Sequence, residues 1–165
     1  MAFDQDVHST KPRIVVISCV GSLEATDHIV RGARDELTER DIVSELVTVP
    51  DLFAIPTTVK YFIHSMEVFI PPVRMDGYIF CACTDASGNH SQTDDVSRTQ
   101  RSLDQLTIQY ALATGRGFFQ YDKERWVSGE AHAAAFNDAY QLGVQAAKRC
   151  LSMIDIKTTL RLFPR

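Results

Sequence analysis

The chain has 165 residues, enough for roughly one domain of the usual ~150 residues, and 17 basic against 21 acidic side chains leave a formal net charge of −4. That balance lacks the basic face a nucleic-acid partner demands, and 45% hydrophobic with 23% charged residues excludes disorder as the main state. No apolar run approaches the ~20 residues of a membrane span. The polar, acidic start MAFDQDVHSTKP lacks the basic-then-apolar order of a signal peptide, so residues 1–12 are expected to form a flexible N-terminal segment and the protein to be cytoplasmic. Cys19, Cys81, Cys83 and Cys150 contain no C-x-x-C pair; Cys81 and Cys83 share a strand face and read as small core residues, with no disulfide or metal expected.

Residues 13–20 (RIVVISCV) form an apolar, β-branched run between Pro12 and Gly21, the pattern of a buried parallel strand. Ile29, Val30, Ala33 and Leu37 then recur at helical spacing over 25–40. Residues 42–49 (IVSELVTV) predict a second strand, ended by Pro50. Ile55, Val59, Phe62, Met66 and Phe69 mark a second helix that Pro71-Pro72 cannot continue. A third strand over 77–83 (GYIFCAC) leads into a polar loop, TDASGNHSQ. Val96, Leu103, Leu106 and Tyr110 mark a third helix, stopped by Gly115, and 117–121 (GFFQY) predicts a short fourth strand. The stripe Ala133, Phe136, Tyr140, Val144, Ala147, Leu151, Ile154 predicts a last helix, and 157–165 reads as a basic tail.

A β-α repeated four times predicts a three-layer α/β/α sandwich on a four-stranded parallel sheet of flavodoxin-like order, one domain over 13–156. Ligands of such sheets sit beyond the carboxyl ends of the strands, where the strand order reverses. The loops 21–25, 50–54 and 84–92 should therefore hold the chemistry.

The second of these loops, Val49-Pro50-Asp51-Leu52-Phe53-Ala54-Ile55-Pro56, resembles the V-P-G-A-F-E-I-P signature of the lumazine synthases. Arg31-Gly32-Ala33, the run Gly143-Val144-Gln145-Ala146-Ala147 followed by Met153, and Gly88, Asp94 and Val96 fit the same register, so the resemblance spans about residues 13–153. It implies a transferase of riboflavin biosynthesis. This enzyme would condense 5-amino-6-ribitylaminopyrimidinedione with 3,4-dihydroxy-2-butanone 4-phosphate, without a cofactor, as a homopentamer or decamer with sites between subunits.

The resemblance also implies a site, and this chain departs from it. The family's stacking aromatic falls on Gly21-Ser22, its ribityl-binding glutamate on Ala54, its flexible glycine on Asp51, its loop arginine on Ser87 and its phosphate-gripping lysine on Leu142. The family's acid/base histidine falls on Gln92, which cannot exchange a proton near neutral pH. A shift of register would bring His90 to that place, with Asp85 and Asp94 to orient it. His90, Gln92 and Asp94 are thus the catalytic candidates. Gly21, Ser22, Leu52, Phe53, Ala54, Thr84, Asp85, Ala86 and Phe119 are candidates for binding substrate, and Gly88, Asn89 and Arg125 for phosphate.

Each has a plainer alternative. Asn89 or Ser91 would cap the third helix, with Asp94 and Asp95 in its first turn, instead of the helix start holding an anion. A metal reading of Asp85, His90, Asp94 and Asp95 matches no standard ligand spacing. Trp126 would stack a ring or anchor an interface, Phe53 would line a pocket or plug the core, and His28, His64 and His132 read as surface residues. Phe62, Phe69 and Phe136 are candidates for exposed contact residues. The altered residues leave open a scaffold turned to another condensation or rearrangement, or a non-catalytic flavin- or pterin-binding or assembly subunit.

Overall fold

The computed structural model describes residues 11–19, 24–68, 74–85, 90–121 and 129–160. Strands and helices alternate through them: β1 (Ile14–Cys19), α1 (Ala25–Glu39), β2 (Ser44–Val49), α2 (Ala54–Val68), β3 (Gly77–Asp85), α3 (His90–Tyr110), β4 (Thr114–Tyr121) and α4 (Glu130–Thr159). The strands pair in parallel in the order β2-β1-β3-β4. The α/β architecture and its strand order are those the alternating pattern predicts.

β1 is apolar from Ile14 to Ile17 because both its faces are covered, and its polar Ser18 is buried as well. Ile14 and Val16 pack with α1 and α4, and Val15 and Ile17 with α2 and α3. Cys81 and Cys83 join the α1/α4 core as the period-two reading expects. Among the described residues no helix is long and apolar enough to cross a membrane.

The two halves are not packed alike. On the α1/α4 side the backbones nearly touch. A methyl group on Gly32 would lie 2.0 Å from the Tyr140 carbonyl oxygen, and one on Gly143 1.9 Å from that of Ile29. Only hydrogen fits at those two places, so the glycines set the separation of α1 and α4.

Four expectations need correction. Gly115 does not stop α3; it lies inside β4, where a methyl would meet the Ala146 carbonyl oxygen at 1.8 Å. The helix ends instead at Ala111, whose φ of 50° lets the Leu112 N–H reach back to the Thr107 carbonyl at 3.0 Å. α1 closes in the same way: Asp41 takes φ 58° and the Ile42 N–H bonds Leu37 at 2.9 Å. Ile42 therefore buries as a helix-end plug and β2 begins only at Ser44. Third, α4 continues to Thr159, so the basic tail starts inside the helix, where Lys157 Nζ donates to the Ala111 carbonyl at 2.7 Å. Fourth, Phe62 and Phe136 are half-buried rather than exposed.

Burial in this core has a consequence for pH. It pushes the Cys81 and Cys150 thiols from 9.0 up to about 12, and the Tyr78 phenol from 10.0 to about 12, the latter helped by the charge of Asp76. The unfolded chain releases these protons first, so their contribution is complete below pH 9 and falls as pH rises towards 12. Urea midpoints measured in reductant should drop steadily above pH 9. The double variant Cys81→Ala/Cys150→Ala, although less stable at pH 7, should show a shallower drop; an unchanged slope would refute the assignment.

Candidate functional site at the carboxyl edge of the sheet

Parallel strands with helical crossovers bring every strand outlet to one edge, and here the order reverses between β1 and β3. The register makes that edge a step. Cys19, the last residue of β1, is level with Val49, the last of β2. Ser18 is level with Cys81, so β3 runs on past β1 to Asp85, beside Tyr121 at the end of β4. The β2 outlet lies one strand away from the β3 outlet across β1, about 10 Å at ordinary strand spacing.

On the low side of the step, Asp51 shapes the loop. Its Oδ1 accepts the Ala54 N–H at 2.9 Å and so caps α2. Where the resemblance calls for a flexible glycine, this chain holds its loop with a side-chain hydrogen bond. Leu52 and Ala54 pack against the α2/α3 core, whereas Phe53 remains 47% exposed, so it does not plug the core. Cys19 is half-buried beside them. Its thiol is raised above 9.0, first by burial and then by the charge of Asp51, which suits a protonated wall residue and not a nucleophile.

The high side of the step differs from expectation. Thr84 and Asp85 belong to β3, and His90, Ser91 and Gln92 to α3, so only residues 86–89 separate the two elements. Ser91 is thus interior to the helix instead of its cap, and Asp94 and Asp95 lie in the second turn, Asp94 exposed. Thr84 is half-buried in β3. Phe119 packs on the α1/α4 side of the sheet, opposite Leu52 and Ala54. The sheet therefore divides the candidate binding residues between its two faces, and only a ligand lying across the edge could touch both sets. Gly21, Ser22, Ala86, Gly88, Asn89 and Arg125 lie outside the described residues, as do Ser87, Trp126, Phe69 and the Pro71-Pro72 pair. The side chains of Asp85, His90 and Gln92 also lie outside that set. Among the described residues no three His, Cys, Asp or Glu side chains gather to hold a metal ion.

A cluster on the α1/α4 face was missed in the sequence. His28 and His132, expected on the surface, are half-buried; His64 is exposed as expected. The His28 ring stacks on Phe136 with centroids 4.5 Å apart and planes 13° apart. His132 meets the same ring nearly edge-on at 4.1 Å, and its Nδ1 lies 3.2 Å from the Tyr121 hydroxyl. His28 is in the opening turn of α1, His132 in that of α4, and Tyr121 ends β4. Helices that follow parallel strands begin at the carboxyl edge, so topology gathers all three there. The His132/Phe136 spacing of one helical turn was the available signal.

This arrangement defines an α/β protein of flavodoxin-like order whose carboxyl edge carries a capped loop on one face and an aromatic–histidine cluster on the other. Its relatives narrow the class. The chain is 29% identical over 138 residues to a 6,7-dimethyl-8-ribityllumazine synthase of Paramagnetospirillum magneticum, covering 82% of this chain and 88% of that protein. It is 25% identical to the 6,7-dimethyl-8-ribityllumazine synthase of Bartonella bacilliformis, with 88% and 90% covered, and 26% identical to that of Bartonella henselae, with 80% and 79% covered. No family model matches the chain. Such identities along most of its length make the chain similar to lumazine synthases, consistent with a divergent lumazine-synthase-like member.

The cap on the β2 loop is directly testable. Asp51→Ala should cost about 1 kcal/mol of stability in urea unfolding, while Asp51→Asn, which keeps an acceptor, should cost less than half as much. Equal losses would show that the bond to Ala54 does not hold the loop.

Proposed function

We propose that the chain is a transferase of riboflavin biosynthesis that condenses 5-amino-6-ribitylaminopyrimidinedione with 3,4-dihydroxy-2-butanone 4-phosphate. The observation that carries this reading is similarity to 6,7-dimethyl-8-ribityllumazine synthases along most of both chains. In this reading the protein is a cytoplasmic homo-oligomer, pentamer or decamer, with sites between subunits and no cofactor. Leu52, Phe53 and Ala54 line the pyrimidine side with Gly21, Ser22, Thr84, Asp85 and Ala86, and Phe119 closes the other face. Gly88, Asn89 and Arg125 receive the phosphate, with His90, Gln92 and Asp94 at the start of α3.

Catalysis by juxtaposing two substrates tolerates the loss of individual groups, because effective concentration supplies much of the acceleration. Affinity is more sensitive. Each polar contact removed costs about 1–3 kcal/mol when its partner stays buried, so weak substrate binding is expected from Ala54 and Leu142 at the glutamate and lysine positions. Gln92 exchanges no proton, so proton transfer falls to another group at this edge.

The capped loop favours one second reading. With Asp51 bonded to Ala54 and no carboxylate at position 54, the same scaffold would hold a less polar ligand, either for a different condensation or rearrangement or as a non-catalytic flavin-binding or assembly subunit. Incubating the purified protein with both substrates and following product by chromatography separates these. Enzyme-dependent 6,7-dimethyl-8-ribityllumazine supports the transferase, with KM raised at least tenfold over that of a lumazine synthase run in parallel. No product at millimolar substrates, with riboflavin still bound, rejects it in favour of a binding subunit.

A further inference from the structure

We propose that His132, oriented by Tyr121, is the proton-transfer residue of the condensation. The assignment rests on the transferase reading above and deepens it: it names the group that acts where the aligned position holds Gln92.

Three observations carry it. The first is position. Tyr121 is in register with Asp85, so the hydroxyl that bonds His132 belongs to the outlet shared by β3 and β4. Phe119, two residues earlier, lies on the same face of the same strand. The second is orientation. Tyr121 is only 7% exposed, so packing fixes its ring, and its oxygen is 3.2 Å from Nδ1 of His132. Phe136 meets the imidazole edge-on at 4.1 Å and is itself backed by His28 at 4.5 Å. The ring is held from two directions by groups that belong to β4 and α4.

The third is the free nitrogen. Among the described residues Nε2 of His132 has no hydrogen-bond partner. A phenol oxygen accepts as readily as it donates. With Nδ1–H donating to it, Nε2 carries a lone pair and can take a proton, and the same Nδ1 bond serves the imidazolium that results. A base held by one nitrogen with the other presented is the general arrangement of histidine acid/base catalysis. Among the described residues, the titratable groups that meet this cluster are Tyr121 from β4 and His28 from α1.

The step balances without any further reactant. The amine lone pair of the pyrimidine forms the new C–N bond, and the ketone π electrons move to its oxygen. Nε2 takes a proton from the nitrogen and returns it to that oxygen, giving the carbinolamine hydroxyl. A second proton then passes from nitrogen to that hydroxyl by the same route, the C–O bond breaks, and the oxygen leaves as water as C=N forms. Amine and ketone become imine and water, and His132 ends as it began.

Steady-state kinetics with the two substrates from pH 5 to 9, on intact protein checked by circular dichroism, tests the assignment. His132→Gln should lower kcat by about 10²–10⁴-fold, the usual share of general acid–base catalysis, change KM less than about threefold, and abolish the acidic limb of the pH profile. Tyr121→Phe, which deletes one oxygen, should lower kcat less and displace that limb; it decides the matter if His132→Gln fails to fold. His64→Gln, an exposed histidine on α2, should match the wild type. A His132→Gln enzyme with wild-type kcat and an intact limb overturns the assignment while leaving the transferase reading standing, as does a loss confined to His90→Gln. A wild-type protein that forms no product overturns that reading and the assignment with it.

Discussion

The contact on which this structure turns is backbone against backbone. Gly32 of α1 faces the Tyr140 carbonyl, Gly143 of α4 faces the Ile29 carbonyl, and Gly115 of β4 faces that of Ala146, each with less room than a methyl group needs. Two helices and a strand are thereby locked at a separation that no larger residue allows. Overpacked cores lose about 1–3 kcal/mol even when side chains can give way, and a carbonyl oxygen in a helix has nowhere to go. Around the three glycines, Ala33, Ala139, Ala146 and Ala147 fill the seam with small side chains, all essentially buried. On the helix surfaces beside it, Tyr140 donates to Asp35 at 3.0 Å, and buried Glu36 pairs with Arg40 at 2.9 Å and with Lys148 at 3.9 Å.

That seam fixes more than the core. Because both helices follow parallel strands, drawing their axes together also draws together their first turns at the carboxyl edge. His28, His132 and Phe136 meet there as a consequence of packing further along the helices, and Tyr121 completes the group from the locked strand. The other face is built differently. α2 is fixed at its start by the Asp51 cap and linked to α3 by Lys60, whose Nζ donates to the Tyr110 hydroxyl at 2.8 Å. Among the described residues, three of the four buried hydroxyls without a partner, those of Tyr78, Thr99 and Thr107, belong to this side or to α3. One face of the edge is thus rigid and histidine-bearing, the other a capped loop with an exposed phenylalanine.

The elements were legible where a strand must be apolar on both faces, as in residues 14–17, or where a helix carries one stripe, as from Ile55 to Phe62. The errors arose where tertiary contact overrides a local signal. Gly115 reads as a helix stop, yet it is needed for a neighbouring carbonyl, and the actual stop, Ala111, is a residue type that rarely adopts positive φ. Ile42 reads as strand and serves as a helix-end plug. The Val49–Pro56 motif located the loop correctly but not the cap inside it. The dyad of Tyr121 and His132 was invisible because no periodicity connects a strand's last residue to a histidine on the next helix; only the fold does.

In the proposed reading, ligand binds across the carboxyl edge and touches both faces. Hydrogen–deuterium exchange of the intact protein, with and without saturating 5-amino-6-ribitylaminopyrimidinedione, measures this most directly. Binding there should slow exchange in residues 51–55, at the β3–α3 junction, and in 129–136 together. Protection confined to the cleft lined by Lys11, Arg13, Asp41, Val43 and Glu45, at the amino end of the strands, would contradict it, as would no protection at all.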